Sequence, residues 1–233
     1  WIDFEPDLLS ITAFLLGHAG PSKGYSFFKK IKILPPGTIT EIQNGKLIKQ
    51  EEFFGVTDYW DPEMAVKLSE TNTEKLIDKV EELLLKSVEQ QLIADAPVGA
   101  LCSGGLDSAL ILAMAKQSHT NLAIFHANVL GHESEYDAAS ELADYLNLDL
   151  KETRVSDEDF VQLFPQIIES QGHPFFSPPN SVPFLKVSKL VGENKPKAVL
   201  SGEGADECFL GYSFLVPDLN IAWRKPIYSL KNL

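Results

Sequence analysis

Cysteine is scarce in this chain. Only Cys102 and Cys208 occur in 233 residues, and they form no CxxC pair. Two cysteines and five scattered histidines give no zinc-ligand spacing. Thiols this few read as reduced and buried rather than bridged, which suits a cytoplasmic protein. Basic residues are also short: 20 Lys and Arg stand against 33 Asp and Glu, a net charge of −13. Nucleic acid is therefore excluded as the main partner, because gripping a phosphate backbone takes clustered Lys and Arg. No apolar run approaches the ~20 residues of a membrane span, and no signal-peptide pattern opens the chain, so no membrane partner is expected. Internal repeats and low-complexity tracts are missing, and so is the GxxxxGK(S/T) loop of the Walker type. What remains is ordinary soluble composition, 44% hydrophobic and 23% charged, in a length that holds one or two domains with a core.

Against this background two glycine motifs stand out. Ser103-Gly104-Gly105-Leu106-Asp107-Ser108 follows the apolar run Pro97 to Cys102, which reads as a buried parallel strand, and precedes a helical pattern from Ala109 to Lys116. Glycines at such a turn let the backbone come close to a ligand. The helix start then offers unpaired N–H groups and the positive end of its dipole, a setting for phosphate. Asp107 would repel a bare phosphate; it fits if Mg²⁺ bridges it to phosphate oxygens. The plainer alternative is a glycine turn in which Ser and Asp act only as helix caps.

The second motif, Ser201-Gly202-Glu203-Gly204-Ala205-Asp206-Glu207, follows another short apolar run, Lys197 to Leu200. Glu203, Asp206 and Glu207 lie within five residues. At a strand end they repel one another unless a cation or an amine sits among them.

Between and around the motifs, strand and helix patterns alternate: strand 98–102, helix 107–117, strand 122–129, helix 134–147, a helical stretch 157–170, helix 181–193 and strand 197–201. That order predicts an α/β fold, a parallel sheet with helices on both faces and ligands at the carboxyl ends of the strands. Upstream, Leu76, Val80, Leu83, Leu84, Val88 and Leu92 mark one face of a long amphipathic helix, with Thr71 and Glu74 as a capping box. A polar stretch, 61–72, reads as a linker. Residues 7–17 read as a helix, and Asn44-Gly45 between 37–42 and 46–50 reads as a hairpin turn. Gln171 to Pro183 carries four of the fourteen prolines; it reads either as an ordered loop over the site or as a surface crossover.

SGGLDS resembles the pyrophosphate loop of the ATP-pyrophosphatase-like ligases. SGEGADE, followed by Phe209, Gly211 and Tyr212, resembles the second signature of the asparagine synthetases and their relatives. Ser134-Glu135-Tyr136-Asp137 and the run Ala94 to Gly99 are similar to that family too, with Ala96 where valine is usual. The resemblance spans about Thr71 to Tyr212. It implies an adenine-nucleotide alpha-hydrolase-like sheet in 73–233, incomplete at its C-terminal end. Leu34-Pro35-Pro36-Gly37 and Tyr59-Trp60-Asp61-Pro62 resemble the close of the family's glutaminase domain. Residues 1–60 would then be the last portion of an α+β, N-terminal-nucleophile-hydrolase-like domain, joined by linker 61–72.

The activity implied by the resemblance is AMP-forming amide ligation: ATP activates a carboxylate as an acyl-adenylate, and ammonia or an amine takes the acyl group. Asparagine synthesis is the first form of this; an amide-forming cyclase of peptide or antibiotic biosynthesis is the second. A non-catalytic nucleotide-binding homologue is the contrasting class, disfavoured because the charged motif residues are all present. By the resemblance, Ser103, Gly104, Gly105, Leu106 and Ser108 surround the pyrophosphate. Leu101, Ser201 and Gly202 border the adenosine. Asp107 and Asp206 hold Mg²⁺, and Glu203 is the general base, or alternatively a partner of the metal ligands. A homodimer is an assembly this membership admits. Relatives carry an acidic pair where this chain reads Gly172-His173, which leaves that substrate contact without a counterpart; His173 itself reads as a structural loop histidine. The downstream lysine of relatives is not assignable to Lys225 or Lys231. Family glutaminases begin with cysteine and this chain begins Trp1-Ile2-Asp3, so the chain alone is not expected to hydrolyse glutamine.

Overall fold

A computed structural model describes residues 4–18, 21, 24–119, 122–131, 134–173, 180–209 and 211–212. The chain divides into two compact units, one formed by the residues up to Ala65 with a segment starting at Phe164, the other by Val66–Leu163 and the residues from Asn180 onward.

In the first unit, helix α1 (Leu8–Leu15) is capped by Asp7, whose carboxylate accepts from the Ser10 N–H at 2.9 Å. Strands β1 (Thr38–Gln43) and β2 (Lys46–Glu52) form an antiparallel hairpin. Asn44 and Gly45 at its tip have φ of 51° and 73°, the pair of positive values that a two-residue hairpin turn requires. His173 lies in this unit, its ring 5.8 Å from that of Phe27.

Stretch 61–72 is more ordered than a linker reading suggests: it contains helix α2 (Pro62–Ser69), started by Asp61, which accepts from the N–H groups of Glu63 and Met64. The long helix α3 (Thr73–Gln91) follows. Its cap is Asn72, accepting from the Glu74 N–H at 2.8 Å, and not the expected Thr71; the Thr71 hydroxyl instead donates to the Lys67 carbonyl and closes α2.

The second unit is built on strands β3 (Val98–Leu101), β4 (Ala123–Val129), β5 (Leu150–Val155) and β6 (Ala198–Leu200), all parallel, in the order β5-β4-β3-β6. Helices α4 (Leu106–Ser118) and α5 (Tyr136–Leu146) carry the chain from β3 to β4 to β5. Helices α6 (Asp157–Gln171) and α7 (Ser181–Gly192) precede β6, and the short α8 (Ala205–Phe209) follows it.

Val88 and Leu92 at the end of α3, Ala100 and Cys102, Leu112 and Ala115 of α4, Ile124, and Ala139 and Ala143 of α5 form one buried cluster. Side chains alternate along a strand, so Phe125 faces away from Ile124. On that side α7 packs on β4 and β5, with Val182 and Val187 buried. The sheet is thus flanked by helices. Strand β5 was not legible in the sequence. Its Lys151, Glu152 and Arg154 obscure the apolar pattern, and they are tolerated because β5 is an edge strand.

The order of the strands decides where a ligand can sit. From β3 the chain winds through α4 to β4 on one side, whereas β6 is laid down on the other side. The carboxyl ends of β3 and β6 therefore flank the point where the winding reverses, the crevice that open α/β sheets use for ligands. Both glycine motifs begin there.

Candidate functional site

After β3 the chain turns through a loop that holds itself together. The buried Ser108 hydroxyl donates to the Gly105 carbonyl at 3.0 Å and accepts from the Ser103 N–H at 3.2 Å. Its one proton is committed to Gly105, so the Ser103 hydroxyl, 2.9 Å away, donates to it. Ser103 Oγ in turn accepts from the Gly105 N–H at 3.1 Å. Gly104 has φ +92°, and a Cβ there would stand 2.6 Å from the Glu135 carbonyl oxygen at the start of α5. The loop is fixed from within by two serines and from outside by α5. The first turn of α4 follows it, with N–H groups that have no intrahelical partners.

The loop after β6 packs on this turn. A Cβ on Gly202 would lie 3.0 Å from Asp107 Cβ and 3.1 Å from the Ser108 nitrogen. The close approach brings the two motifs together at Asp107. The Glu203 N–H donates to Ser201 Oγ at 3.4 Å, and the Gly211 N–H to the Asp206 carbonyl at 3.1 Å.

Two adjoining clefts result. The first, about 210 Å³, is lined by Leu101, Ser103, Asp107 and Ser108 from the first motif region and by Ser201, Gly202, Glu203, Gly204, Asp206, Glu207 and Tyr212 from the second. Four carboxylates line it, and no Lys or Arg does so among the described residues. The second, about 340 Å³, is more apolar: Phe125, Ala127, Val129, Pro183, Phe184 and Val187 form its walls, with His126, Glu135 and Asn180. Leu101, Ser103 and Glu203 line both.

Of the residues singled out in the sequence, Leu101, Ser103, Asp107, Ser108, Ser201, Gly202, Glu203 and Asp206 come together in the first cleft. Gly104 and Gly105 shape the loop without lining either cleft. Leu106, the first residue of α4, is 81% exposed and lines neither. Glu207 differs from its neighbours: the Tyr212 hydroxyl donates to it, which holds the Glu207 carboxyl below its ordinary range and pushes the Tyr212 phenol up to about 12. Cys102 is buried, and burial raises its thiol, whereas Cys208 on α8 is exposed. Both thiols are free, but the expectation that both are buried holds for Cys102 alone, because α8 has no buried residue. Sequence reasoning missed Phe125, His126, Phe184 and Val187. The one available signal was His126, a polar residue inside an otherwise apolar strand. Lys225 and Lys231 lie outside the described residues, as do Pro174 to Pro179 of the proline-rich stretch.

The four carboxylates of the first cleft bear on Mg²⁺. No cluster of three or more His, Cys, Asp or Glu side chains suited to a metal occurs among the described residues. Asp107 and Asp206 in a cleft without basic residues do fit the lighter pattern in which one or two carboxylates and the phosphates of a nucleotide share the ion. Among the described residues no helix is long and apolar enough to cross a membrane.

Several known proteins are similar to this chain. Among solved structures, the NH3-dependent NAD synthetase of Campylobacter jejuni subsp. jejuni is similar with a TM-score of 0.39 and 17% identity, over 58% of this chain and 60% of that one. Asparagine synthetase (glutamine-hydrolyzing) 1 of Bacillus subtilis (strain 168) is 33% identical over 156 residues, 65% of this chain and 24% of that protein. A putative asparagine synthetase (glutamine-hydrolyzing) of Mycobacterium tuberculosis (strain ATCC 25618 / H37Rv) is 33% identical over 171 residues, 71% of this chain and 26% of that protein. The chain thus spans about a quarter of the length of the curated relatives it matches. The family model described as asparagine synthase matches residues 79–232. The match starts within α3 and takes in every strand of the parallel sheet and both glycine motifs, and on that evidence the chain belongs to the asparagine synthase family.

Proposed function

We propose that this chain carries the nucleotide-binding part of an ATP-dependent, AMP-forming amide ligase, asparagine synthetase-like in its chemistry. The observation that supports it is the pair of clefts sharing Leu101, Ser103 and Glu203. A nucleoside triphosphate has two unlike halves. The polar, acidic cleft suits magnesium-bound phosphates, and the apolar cleft suits a base.

In this reading the α4 N-terminus and the serine-braced loop receive the pyrophosphate, an arrangement that costs no reorganisation when the leaving group departs. Asp107 and Asp206 would hold Mg²⁺, whose chemical contribution is to neutralise phosphate charge. Leu101, with Ser201 and Gly202, borders the nucleoside. Glu203 stands at the junction of the clefts, where the α-phosphate and the attacking carboxylate would meet, and serves as the base that takes a proton from ammonia or an amine. Glu207, held ionised by Tyr212, supports the loop beside it rather than moving protons. Residues 1–60 are the closing part of a glutaminase-like domain and 61–72 connect it to the synthetase portion, 73–233. The free thiols suit a reducing, cytoplasmic compartment.

The test uses the full-length protein with candidate carboxylates. The expected products are AMP and pyrophosphate. Glu203→Gln should leave carboxylate-dependent pyrophosphate exchange largely intact and slow amide formation by roughly 10² or more. ADP as the sole nucleotide product would reject the function, and equal loss of both half-reactions would reject Glu203 as the base. An amine other than ammonia as the only productive acceptor would select the cyclase form of the chemistry.

A further inference from the structure

Two periodicities meet at the apolar cleft. Side chains alternate along a strand, so Phe125, Ala127 and Val129 of β4 share one face of the sheet, and His126 and Asn128 take the other. The His126 ring lies beside that of Tyr136 on α5, centroids 5.8 Å apart, which fixes its side. The first face is the one on which α7 packs. On α7, Asn180, Phe184 and Val187 are spaced by four and three residues and so form one stripe. The Phe184 N–H donates to the Asn180 carbonyl at 3.0 Å, which closes the first turn of the helix. The strand face and the helix stripe both line the cleft.

Both series open in the same direction. Phe125 and Val187 are buried, whereas Val129 and Asn180 are exposed and Phe184 is 54% exposed. Protein fills the bottom of the cleft and leaves its upper part open. Ala127, between Phe125 and Val129, is the smallest of the three, so the strand wall is recessed at its middle. A helical side chain leans toward the N-terminus of its helix, which carries the Phe184 ring toward the open end, over that recess. A slot results, with an aromatic ring on one side and alanine on the other. Such a slot takes a flat group with apolar faces. The cleft joins the polar one at Leu101, Ser103 and Glu203, so a group carried on a phosphate chain reaches it.

We propose that Phe184 and Ala127 form the base slot of this site: the Phe184 ring stacks on one face of adenine, and Ala127 leaves the space that the other face occupies. The inference rests on the ATP reading above and goes beyond it, since that reading puts the base in the cleft and leaves open which side chains grip it.

The experiment measures binding of Mg·ATP and of Mg·tripolyphosphate to the full-length protein by calorimetry. The second ligand has the phosphates and no base. Phe184→Ala should weaken ATP about 5- to 150-fold, the range for losing one base–aromatic stack, and leave tripolyphosphate unchanged. Phe184→Tyr keeps the ring and should restore most of the ATP affinity. Ala127→Val fills the recess; it should weaken ATP by a similar factor and again spare tripolyphosphate. Wild-type ATP affinity in Phe184→Ala overturns the proposal. So does equal loss of both ligands in that folded variant, which makes Phe184 a structural residue, and so does a Phe184→Tyr protein as weak as Phe184→Ala. An Ala127→Val protein that binds ATP as wild type does rejects the recess. Failure of both ligands to bind the wild-type protein is a different result, which removes the ATP reading itself.

Discussion

Replacing Gly104 and, separately, Gly204 by alanine isolates the contact that fixes the first glycine loop. The two glycines have nearly the same backbone, φ +92° and +91°. A side chain at such φ costs about 1–2 kcal/mol. The entropy that alanine removes from the unfolded chain, about 0.4–1 kcal/mol, is common to both. These contributions cancel in the comparison. The surroundings do not: a Cβ at Gly204 meets nothing within 4 Å, whereas one at Gly104 falls 2.6 Å from the Glu135 carbonyl oxygen and 3.1 Å from Glu135 Cβ. The obstacle is backbone and cannot rotate away. Relieving it means moving α5 from the loop, a form of overpacking that costs about 1–3 kcal/mol. Gly104→Ala should therefore be the less stable by that difference. With a urea slope of about 2 kcal/mol per molar, its midpoint should lie roughly 0.5–1.5 M below that of Gly204→Ala. Unfolding followed by far-ultraviolet circular dichroism measures this directly. Equal midpoints would refute the claim that α5 braces the loop.

Thiol reactivity should separate the cysteines: in the folded protein at mildly alkaline pH one thiol, Cys208, should react within minutes, and Cys102 only after denaturation. A Cys208→Ser variant that still labels rapidly would contradict the burial of Cys102. Acid stability should depend on the ion pair between Lys186 of α7 and Asp159 of α6, 2.6 Å apart. The Lys186 ammonium and the Ser156 N–H hold the Asp159 carboxyl below its ordinary 3.8. That contribution is fully present above 3.8 and disappears as pH falls through the lowered value. Lys186→Met should lower the urea midpoint at pH 7, and the gap to wild type should narrow as pH falls below 3.8; a gap that does not change through that fall would remove the ion pair as its cause.

Much of the sheet was legible because its determinants are local. The runs at β3, β4 and β6 are apolar and short, the helices between them have recognisable patterns, and Asn44-Gly45 dictates its own turn. The motif residues were legible because glycines and carboxylates this closely grouped have few bland explanations. What could not be read depends on tertiary placement. Strand β5 is an edge whose charges hide it. Asn72 and Thr71 both had cap chemistry, and only the end of α2 decides between them. The apolar cleft takes Phe125 from β4 and Phe184 from α7, far apart in sequence and joined only when α7 packs on β4. Leu106 sat inside a motif yet faces outward, since motif membership gives no direction to a side chain.

The central claim is that the two motifs form one site in which a carboxylate attacks the α-phosphate of ATP. Oxygen transfer tests it most directly. The full-length protein is incubated with ATP, an amine donor and a carboxylate substrate labelled with ¹⁸O in both oxygens, and the nucleotide product is weighed by mass spectrometry. Attack through an acyl-adenylate leaves one carboxylate oxygen on phosphorus, so AMP should gain a single ¹⁸O and pyrophosphate none. Unlabelled AMP, or label in inorganic phosphate with ADP as co-product, would contradict the account.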